Sequence, residues 1–582
     1  MFLITTALEK SWKSNEKILF LGEWCKIYSR KHVWSKFDFD ILPYHWAVKN
    51  KRDYDYKYLN NIYEIYLPIL SRKLNDIHGY NHTDRYWRIV IGHWLSYFIN
   101  VLYDRYYSIK SAMQYGKISS TILLTSDKTN WIAKNYNQFS EYVKDDKWNH
   151  YIFSEIIKLL NAFPYETIET PNLPANSNQS IKSRFLKMFS NNTYKCYSKL
   201  IPSEWKNIVF IDTHFALNDL LKLQIKLRQF PFPYYASLDI PRIDIDNQMR
   251  DEIFINRATN EYEKILEKLL PSQIPSVHLE NYSQTRKIGM SYFPNNPKMI
   301  YTETAQAVDN AFKLWAAEKV ESGVKLLTAQ HGGVTGSGLW EEAEEHYIKI
   351  SDKYYTFGWT KDHSKNVKPL SNGVLIKAKK NMVASPNGDI LCVLTTLPRY
   401  HYRFFSCPQG PMFQNYMKTI IDFANSVSSE VHDIIKFRLD KSYNWKTCVK
   451  EQLISHGFED MIDKINIPIT KRLNKCRLCI VTTNNTTLLE TLSANFPTLA
   501  FWNREDWELR TEAIPYYEEL NKVGILHYDI KSIINKLDSI YHDPLLWWHS
   551  ESLQAAVKRF RNQFAHVNND WLLEWEKEIK LN

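Results

Sequence analysis

Apolar positions along the chain follow two periods. Short apolar runs bounded by polar or turn-forming residues recur at 2–6, 18–21, 208–211, 299–302, 324–329, 390–395, 433–439, 476–481 and 498–502, the pattern of buried parallel strands. Between them, apolar residues at three- and four-residue spacing predict helices over about 217–228, 247–270, 308–322, 412–427, 447–455, 511–521 and 529–541, with further helices from about 544 to 579. From 56 to 98 and again from 147 to 163 the helical period dominates, which predicts a helical insertion over about 50–163. Residues 164–183, rich in Pro, Asn and Ser, read as a long surface loop. The β-α-β order predicts an α/β protein with doubly wound, mostly parallel sheets and right-handed crossovers.

At 582 residues the chain exceeds one compact core. Residues 1–370 read as a Rossmann-like, acceptor-side domain carrying the insertion. Residues 371–545 read as a second Rossmann-like domain for a nucleotide sugar, and 546–582 as helices crossing back to the first. Two such domains facing a cleft, with a phosphate-type strand and helix over 476–490 in the second, describe the GT-B architecture of glycosyltransferases, with ligands gathered at the C-terminal strand ends.

Composition narrows this only slightly. Hydrophobic residues at 44% and charged residues at 24% describe a globular chain. The 19 Trp and 37 Tyr suit sugar stacking as well as core filling. A net charge of +10 suits an anionic small molecule, nucleic acid or an acidic membrane surface. The basic blocks at 377–380 and 472–475 read as solvated faces, and no nucleic-acid partner is expected. No run approaches the roughly 20 apolar residues of a membrane span. The N-terminus lacks the basic region of a signal peptide, so the expected location is cytoplasmic. Seven cysteines make no disulfide framework, and Cys476 and Cys479 read as buried thiols.

Two stretches carry candidate chemistry. After the 476–481 strand, Thr482, Thr483, Asn484, Asn485, Thr486 and Thr487 lead into a helix containing Glu490. Asn485 or Thr486 caps that helix, its free N–H groups face a phosphate, and Glu490 lies one turn on, where a carboxylate accepts ribose hydroxyls. A well-capped helix with no ligand fits the same pattern. After the 324–329 strand comes Gln330-His331-Gly332-Gly333, in a ten-residue stretch holding four of the chain's 16 glycines. Glycine concentrated there lets backbone approach a ligand, and His331 is placed as an acid, a hydrogen-bond donor or a binder of a sugar carboxylate; a turn with a structural histidine is the alternative.

Glycosyl transfer passes through an oxocarbenium-like state that a carboxylate serves, and Asp309 and Glu303 are the candidates, ahead of the helically spaced Glu341, Glu342, Glu344 and Glu345. Arg399, Lys436 and Arg438 lie near strand ends of the second domain and are candidates to neutralise a donor phosphate. Glu23, His82, Arg85 and Arg88 are candidate acceptor-side residues. The D-x-D pairs 38/40, 53/55 and 244/246, and His78 with His82, do not follow strands of the nucleotide domain, so no catalytic metal and no cofactor beyond the sugar nucleotide are expected.

The opening residues 1–8, Leu21-Gly22-Glu23-Trp24-Cys25, Tyr86-Trp87-Arg88-Ile89 with Gly92 and Trp94, and Gln330-His331-Gly332-Gly333 resemble a family of transferases of similar length found in gene clusters for O-antigen and other surface polysaccharides. More distantly, the Gln330–Gly332 loop and the 482–490 element are similar to the retaining β-Kdo transferases of GT-B-like fold. That resemblance implies a CMP-linked ulosonic acid donor, His331 holding the donor and a catalytic carboxylate, for which Asp309 is chosen over Glu303. A glycan or lipid-linked glycan acceptor follows, with room for peripheral membrane attachment. The alternatives are a UDP-sugar transferase or nucleotide-sugar epimerase of the same fold, and a non-catalytic polysaccharide-assembly factor.

Overall fold

The computed structural model describes residues 1–13, 15–170, 201–232, 234, 238, 240–440 and 447–581. Their strands form three five-stranded sheets in which every pairing is parallel. The first contains β1 (Phe2–Ile4), β2 (Ile18–Phe20), β3 (Phe39–Ile41), β4 (Ser120–Thr125) and β5 (Tyr165–Glu169) in the order β3-β2-β1-β4-β5. The second runs in sequence order through β6 (Ile208–Ile211), β7 (Met299–Thr302), β8 (Lys325–Ala329), β9 (Lys353–Thr356) and β10 (Val367–Pro369). The third contains β11 (Asp389–Val393), β12 (Ile435–Arg438), β13 (Cys476–Val481), β14 (Thr498–Phe501) and β15 (Leu526–His527), ordered β12-β11-β13-β14-β15. Strand order therefore reverses between β11 and β13, the place where open α/β sheets leave a crevice for ligands.

Residues 1–370 hold two sheets where the apolar pattern predicts one. β4 lies inside the interval assigned to the helical insertion and pairs with both β1 and β5. β5 lies inside the loop expected at 164–183; from residue 171 onward that loop falls outside the described residues. Every residue of β5 is exposed, and β3 is only half buried, so neither edge strand carries a buried-run signal. The expected helices of the insertion are present as Lys49–His78, His93–Tyr115 and Asp146–Leu160. A π-helical turn over Arg88–Gly92 leads into the second of these. Gly92 packs closely there: a Cβ would stand 2.6 Å from Tyr63 Oη and 3.0 Å from His346 Cε1, so a larger residue must push those side chains aside.

The aromatic excess goes largely inward: Trp24, Trp46, Trp87, Trp94, Trp148, Trp315, Trp340, Trp359, Trp548 and Trp575 are fully buried. The last helix, Trp571–Leu581, packs on the second sheet, where Trp571, Trp575 and Ile579 join Phe210, Phe215, Tyr301 and Tyr355 in one apolar cluster. Trp575 Nε1 also donates to Ser371 O at 2.7 Å. Among the described residues no helix is long and apolar enough to cross a membrane.

Candidate functional site

The C-terminal ends of the second sheet bring four polar side chains together. Glu303, just past β7, is fully buried and accepts hydrogen bonds from Tyr301 Oη at 3.0 Å and Asn372 Nδ2 at 3.1 Å. Its Oε2 also lies 2.6 Å from Nδ1 of His214, which follows β6. Asn372, after β10, caps the Gly373–Asn381 helix through Val374 N–H at 2.9 Å. Gly373 is there because a Cβ would stand 2.4 Å from Phe215 N and 2.7 Å from His214 C. Burial pulls the His214 imidazole down, but the Glu303 carboxylate bonded to it, with Asp212 and Glu490 beyond, holds it above its ordinary value. His214 therefore has one ring nitrogen fixed on a carboxylate and its other directed away from it, the arrangement of an oriented general base.

His331, after β8, lies next to this pair, its ring centroid 6.4 Å from that of His214 at an interplanar angle of 23°. Burial, with His214 and Arg403 nearby, drops it to about 4, Glu303 opposing. At neutral pH its imidazole is uncharged, which suits hydrogen bonding rather than charge pairing. Its Nδ1 is buried without a partner.

Gln330 holds the glycine loop. Its Oε1 accepts from Phe357 N at 3.0 Å and Trp359 Nε1 at 2.8 Å, and its Nε2 donates to Gly332 O at 2.7 Å and Thr335 O at 3.0 Å. Glu344 accepts from Gly336 N at 2.8 Å and pairs with Arg510 at 2.9 Å. The loop so braced abuts the third sheet at the β13 end: a Cβ on Gly333 would stand 2.3 Å from Asn485 C and 2.4 Å from Thr486 N. Asn484 is fixed alongside, donating to Ser337 Oγ at 3.2 Å and accepting from Tyr517 Oη at 2.7 Å. The two stretches singled out in the sequence are thus in backbone contact.

Asn485 is the extended residue preceding the Thr486–Ser493 helix, but its side chain makes no capping bond. The expected cap is absent, and the positive end of this helix carries no side-chain acceptor from Asn485. Thr483 is buried, while Thr486 and Thr487 are half exposed. Glu490, partly buried on the same helix, is pushed up to about 7 by burial, with Lys377 and His214 pulling the other way.

The remaining candidates lie in other surroundings. Asp309 caps the Asn310–Glu321 helix, accepting from Phe312 N at 2.6 Å and Leu238 N at 2.9 Å. Arg399 is buried, pairing with Asp146 at 2.6 Å and donating to Trp24 O. Lys436 donates to Asp433 O and Asp460 O at 3.2 and 3.3 Å. Arg438 pairs with Asp463 at 3.0 Å and donates to Ile467 O at 2.6 Å, both groups lying at the β12 edge of the third sheet. Glu23 pairs with Lys26 at 3.1 Å. His82 lies 2.6 Å from Glu321, Arg85 pairs with Asp352 at 2.9 Å, and Arg88 makes a two-pronged pair with Glu64 at 2.8 and 2.7 Å. The pairs of His82 with Glu321, Arg85 with Asp352 and Arg399 with Asp146 tie the helical insertion to its neighbours.

His214 and Asn372 went unrecognised in the sequence. The strand-end rule that selects His331 selects both, but neither is followed by the glycine cluster that makes His331 conspicuous. Arg403, which adds to the field at His331, lies in the segment after β11 with no marker of its own.

No curated protein matches the chain. Among solved structures, the crystal structure of a UDP-N-acetylglucosamine 2-epimerase is similar with a TM-score of 0.35 and 12% sequence identity, over 65% of this chain and 96% of the other. The model of the LIC12162 family transferases matches residues 1–579, and the chain belongs to that family of transferases.

Proposed function

We propose that the protein is a glycosyltransferase of bacterial surface-polysaccharide biosynthesis that moves a 2-keto-3-deoxy sugar acid from a CMP-activated donor to a glycan acceptor. It works in the cytoplasm, with a lipid-linked acceptor drawing it to the inner membrane face. The observation that carries this reading is the contact of Gly333 with Asn485 and Thr486, because it brings a helix N-terminus into the same site as the His214–Glu303 pair and His331. The N–H groups and hydroxyls of Thr486 and Thr487 bind the donor phosphate, and Glu490 accepts from the ribose.

In the reaction the acceptor oxygen bonds to the anomeric carbon as the bond from that carbon to the phosphate oxygen breaks. His214 takes the acceptor proton, while Glu303 orients its ring and stabilises the imidazolium that forms. Negative charge growing on the departing phosphate is met by the helix N-terminus. His331, uncharged, bonds the sugar. Asp309 is left as a helix cap, so the carboxylate assigned to catalysis is Glu303, acting through His214.

Thermal-shift titration with CMP, UDP, GDP and ADP tests the donor, since a ligand preferring the native state raises Tm. A shift with CMP alone is expected. A shift with UDP alone points to a neutral hexose donor, and no shift with any nucleotide refutes the donor site.

A further inference from the structure

Behind His331 lies a wall of polar groups that the transfer step does not use. The Tyr347 ring lies 5.8 Å from His331, and His93 lies 5.7 Å beyond it, flanked by Tyr97 at 4.5 Å and Tyr136 at 4.7 Å. Lys313 Nζ stands 5.3 Å from the Tyr136 ring centre. Arg403 is close enough for its charge to act on His331, His93, Tyr97, Tyr136 and Tyr347. His93 and Tyr97, Tyr136, Lys313 and Tyr347 come from helices over His93–Tyr115, Tyr136–Tyr142, Asn310–Glu321 and Glu342–Ile350, so four helices of distant sequence converge on one place, with His331 and Arg403 joining from loops.

The wall is unusual in what it leaves unsatisfied. Nδ1 of His331, Nδ1 of His93, Nζ of Lys313 and Nε of Arg403 are buried without a hydrogen-bond partner. Tyr97, Tyr136 and Tyr347, buried beside them, add three hydroxyls to the wall. Folded proteins pair nearly all such groups, and a concentration of exceptions in one wall marks a place that something else completes. The charge says what kind of group. Arg403 has no carboxylate at ion-pair distance among the described residues, and Lys313 is wholly buried. The acids within reach are engaged: Asp309 with Phe312 and Leu238 N–H, Glu341 with Ala343 N–H, and Glu342 with Ser96 Oγ and Phe404 N–H. Two basic groups whose partner acids, Glu341 and Asp309, act on them only through space, with three hydroxyls beside them, fit an oxyanion surrounded by sugar hydroxyls.

We propose that this wall is the subsite for the carboxylate of the transferred sugar, with Arg403 and Lys313 supplying charge and Tyr97, Tyr136 and Tyr347 contacting the neighbouring oxygens. The proposal rests on the reading of the chain as a sugar transferase and adds the residues that would make its sugar an acid.

Calorimetry on the full chain tests it, with Kdo and N-acetylneuraminate as probes and their methyl esters as uncharged controls. The acids are expected to bind at least about tenfold more tightly than the esters, the factor that one lost charge-assisted hydrogen bond produces. Binding also takes up protons above pH 7. Burial pushes the Lys313 amine down to about 7, Asp309 opposing, and an anion beside it raises it again. The other groups around Lys313 are Tyr136, His93, His278 and His346; burial holds the three histidines neutral and the tyrosine protonated, so the uptake belongs to the amine. Lys313→Met should abolish the proton uptake and shrink the acid-over-ester preference while the CMP-induced Tm shift persists. Equal binding of acid and ester to the wild-type protein, or no binding of the acid, overturns the proposal even where CMP binds. Acid preference without any nucleotide shift sustains it and removes the CMP donor instead.

Discussion

Replacing Gly333 by alanine puts the glycine-loop contact to a direct test. The new Cβ would lie 2.3 Å from Asn485 C, 2.4 Å from Thr486 N and 2.7 Å from Asn485 O, all backbone atoms. Ordinary contact begins near 3.4 Å, so loop and helix must part by about 1 Å. Neither side yields readily, because Gln330, Glu344 and Arg510 brace the loop while Ser337 and Tyr517 hold Asn484. Overpacking of this kind costs about 1–3 kcal/mol of stability. On the proposed mechanism, a shift of about 1 Å between the Thr486–Ser493 helix and His214 should lower turnover on the order of 10²-fold. Urea melts, CMP titration and turnover at saturating donor measure the three effects separately. Gly332→Ala is the comparison, since its Cβ meets nothing nearer than Thr335 Oγ1 at 4.0 Å, and it should melt with the wild type. A Gly333→Ala protein with unchanged melting and unchanged CMP affinity would refute the contact as the joint of the site.

Glu303→Gln should lower kcat by about 10²-fold or more and move the activity limb of His214 to lower pH, because the carboxylate that holds this imidazole up is gone; an unmoved limb removes the pair from the mechanism. Glu490 has a folded value of about 7 against an ordinary 4.5, so the native state keeps its proton longer and this group lowers stability as pH rises through that interval. A ribose that bonds the carboxylate favours the deprotonated form, so CMP affinity should climb between about pH 6 and 8 and lose that dependence in Glu490→Gln; a Glu490→Gln protein with the wild-type pH profile contradicts the assignment. Asp309→Ala should cost about 1–2 kcal/mol through the lost helix cap, read as a lowered urea midpoint, and a larger loss in turnover per folded molecule than in stability would return Asp309 to the chemistry. Trp575→Ala should destabilise by about 3–5 kcal/mol, since the ring is buried among Phe210, Tyr301 and Tyr355 and its Nε1 is bonded to Ser371 O; a change under 1 kcal/mol in equilibrium unfolding would mean that the last helix adds little to the second sheet.

The parts of the site that follow buried strands were legible in the sequence, because an apolar run ending in glycine or small polar residues signals both the strand and the exposed backbone after it. β8 with His331, β7 with Glu303 and β13 with Thr482–Thr487 all announce themselves this way. The contact between Gly333 and Asn485 does not, since 152 positions separate them (485 − 333) and nothing local encodes it. Long-range pairing also explains the basic candidates. His82, Arg85 and Arg399 look available in sequence, yet their acids lie 239, 267 and 253 positions away at Glu321, Asp352 and Asp146. Edge strands β3 and β5 were hidden for a different reason. Their polar residues are what protects an edge from pairing with another chain, and the same residues erase the strand signature.

The seating of Trp571, Trp575 and Ile579 on the second sheet bears on how the chain is made. β10 ends at residue 369, but the apolar face that the last helix covers waits for residue 579. At about 5–20 residues per second, the 210 intervening residues take roughly 10–40 s to emerge from the ribosome. For that interval Phe210, Tyr301 and Tyr355 have no lid, and a sheet already able to pair shows an aromatic face to the cell. A protein built this way leans on holding chaperones during synthesis, and its yield should respond to their supply even where the finished fold is stable.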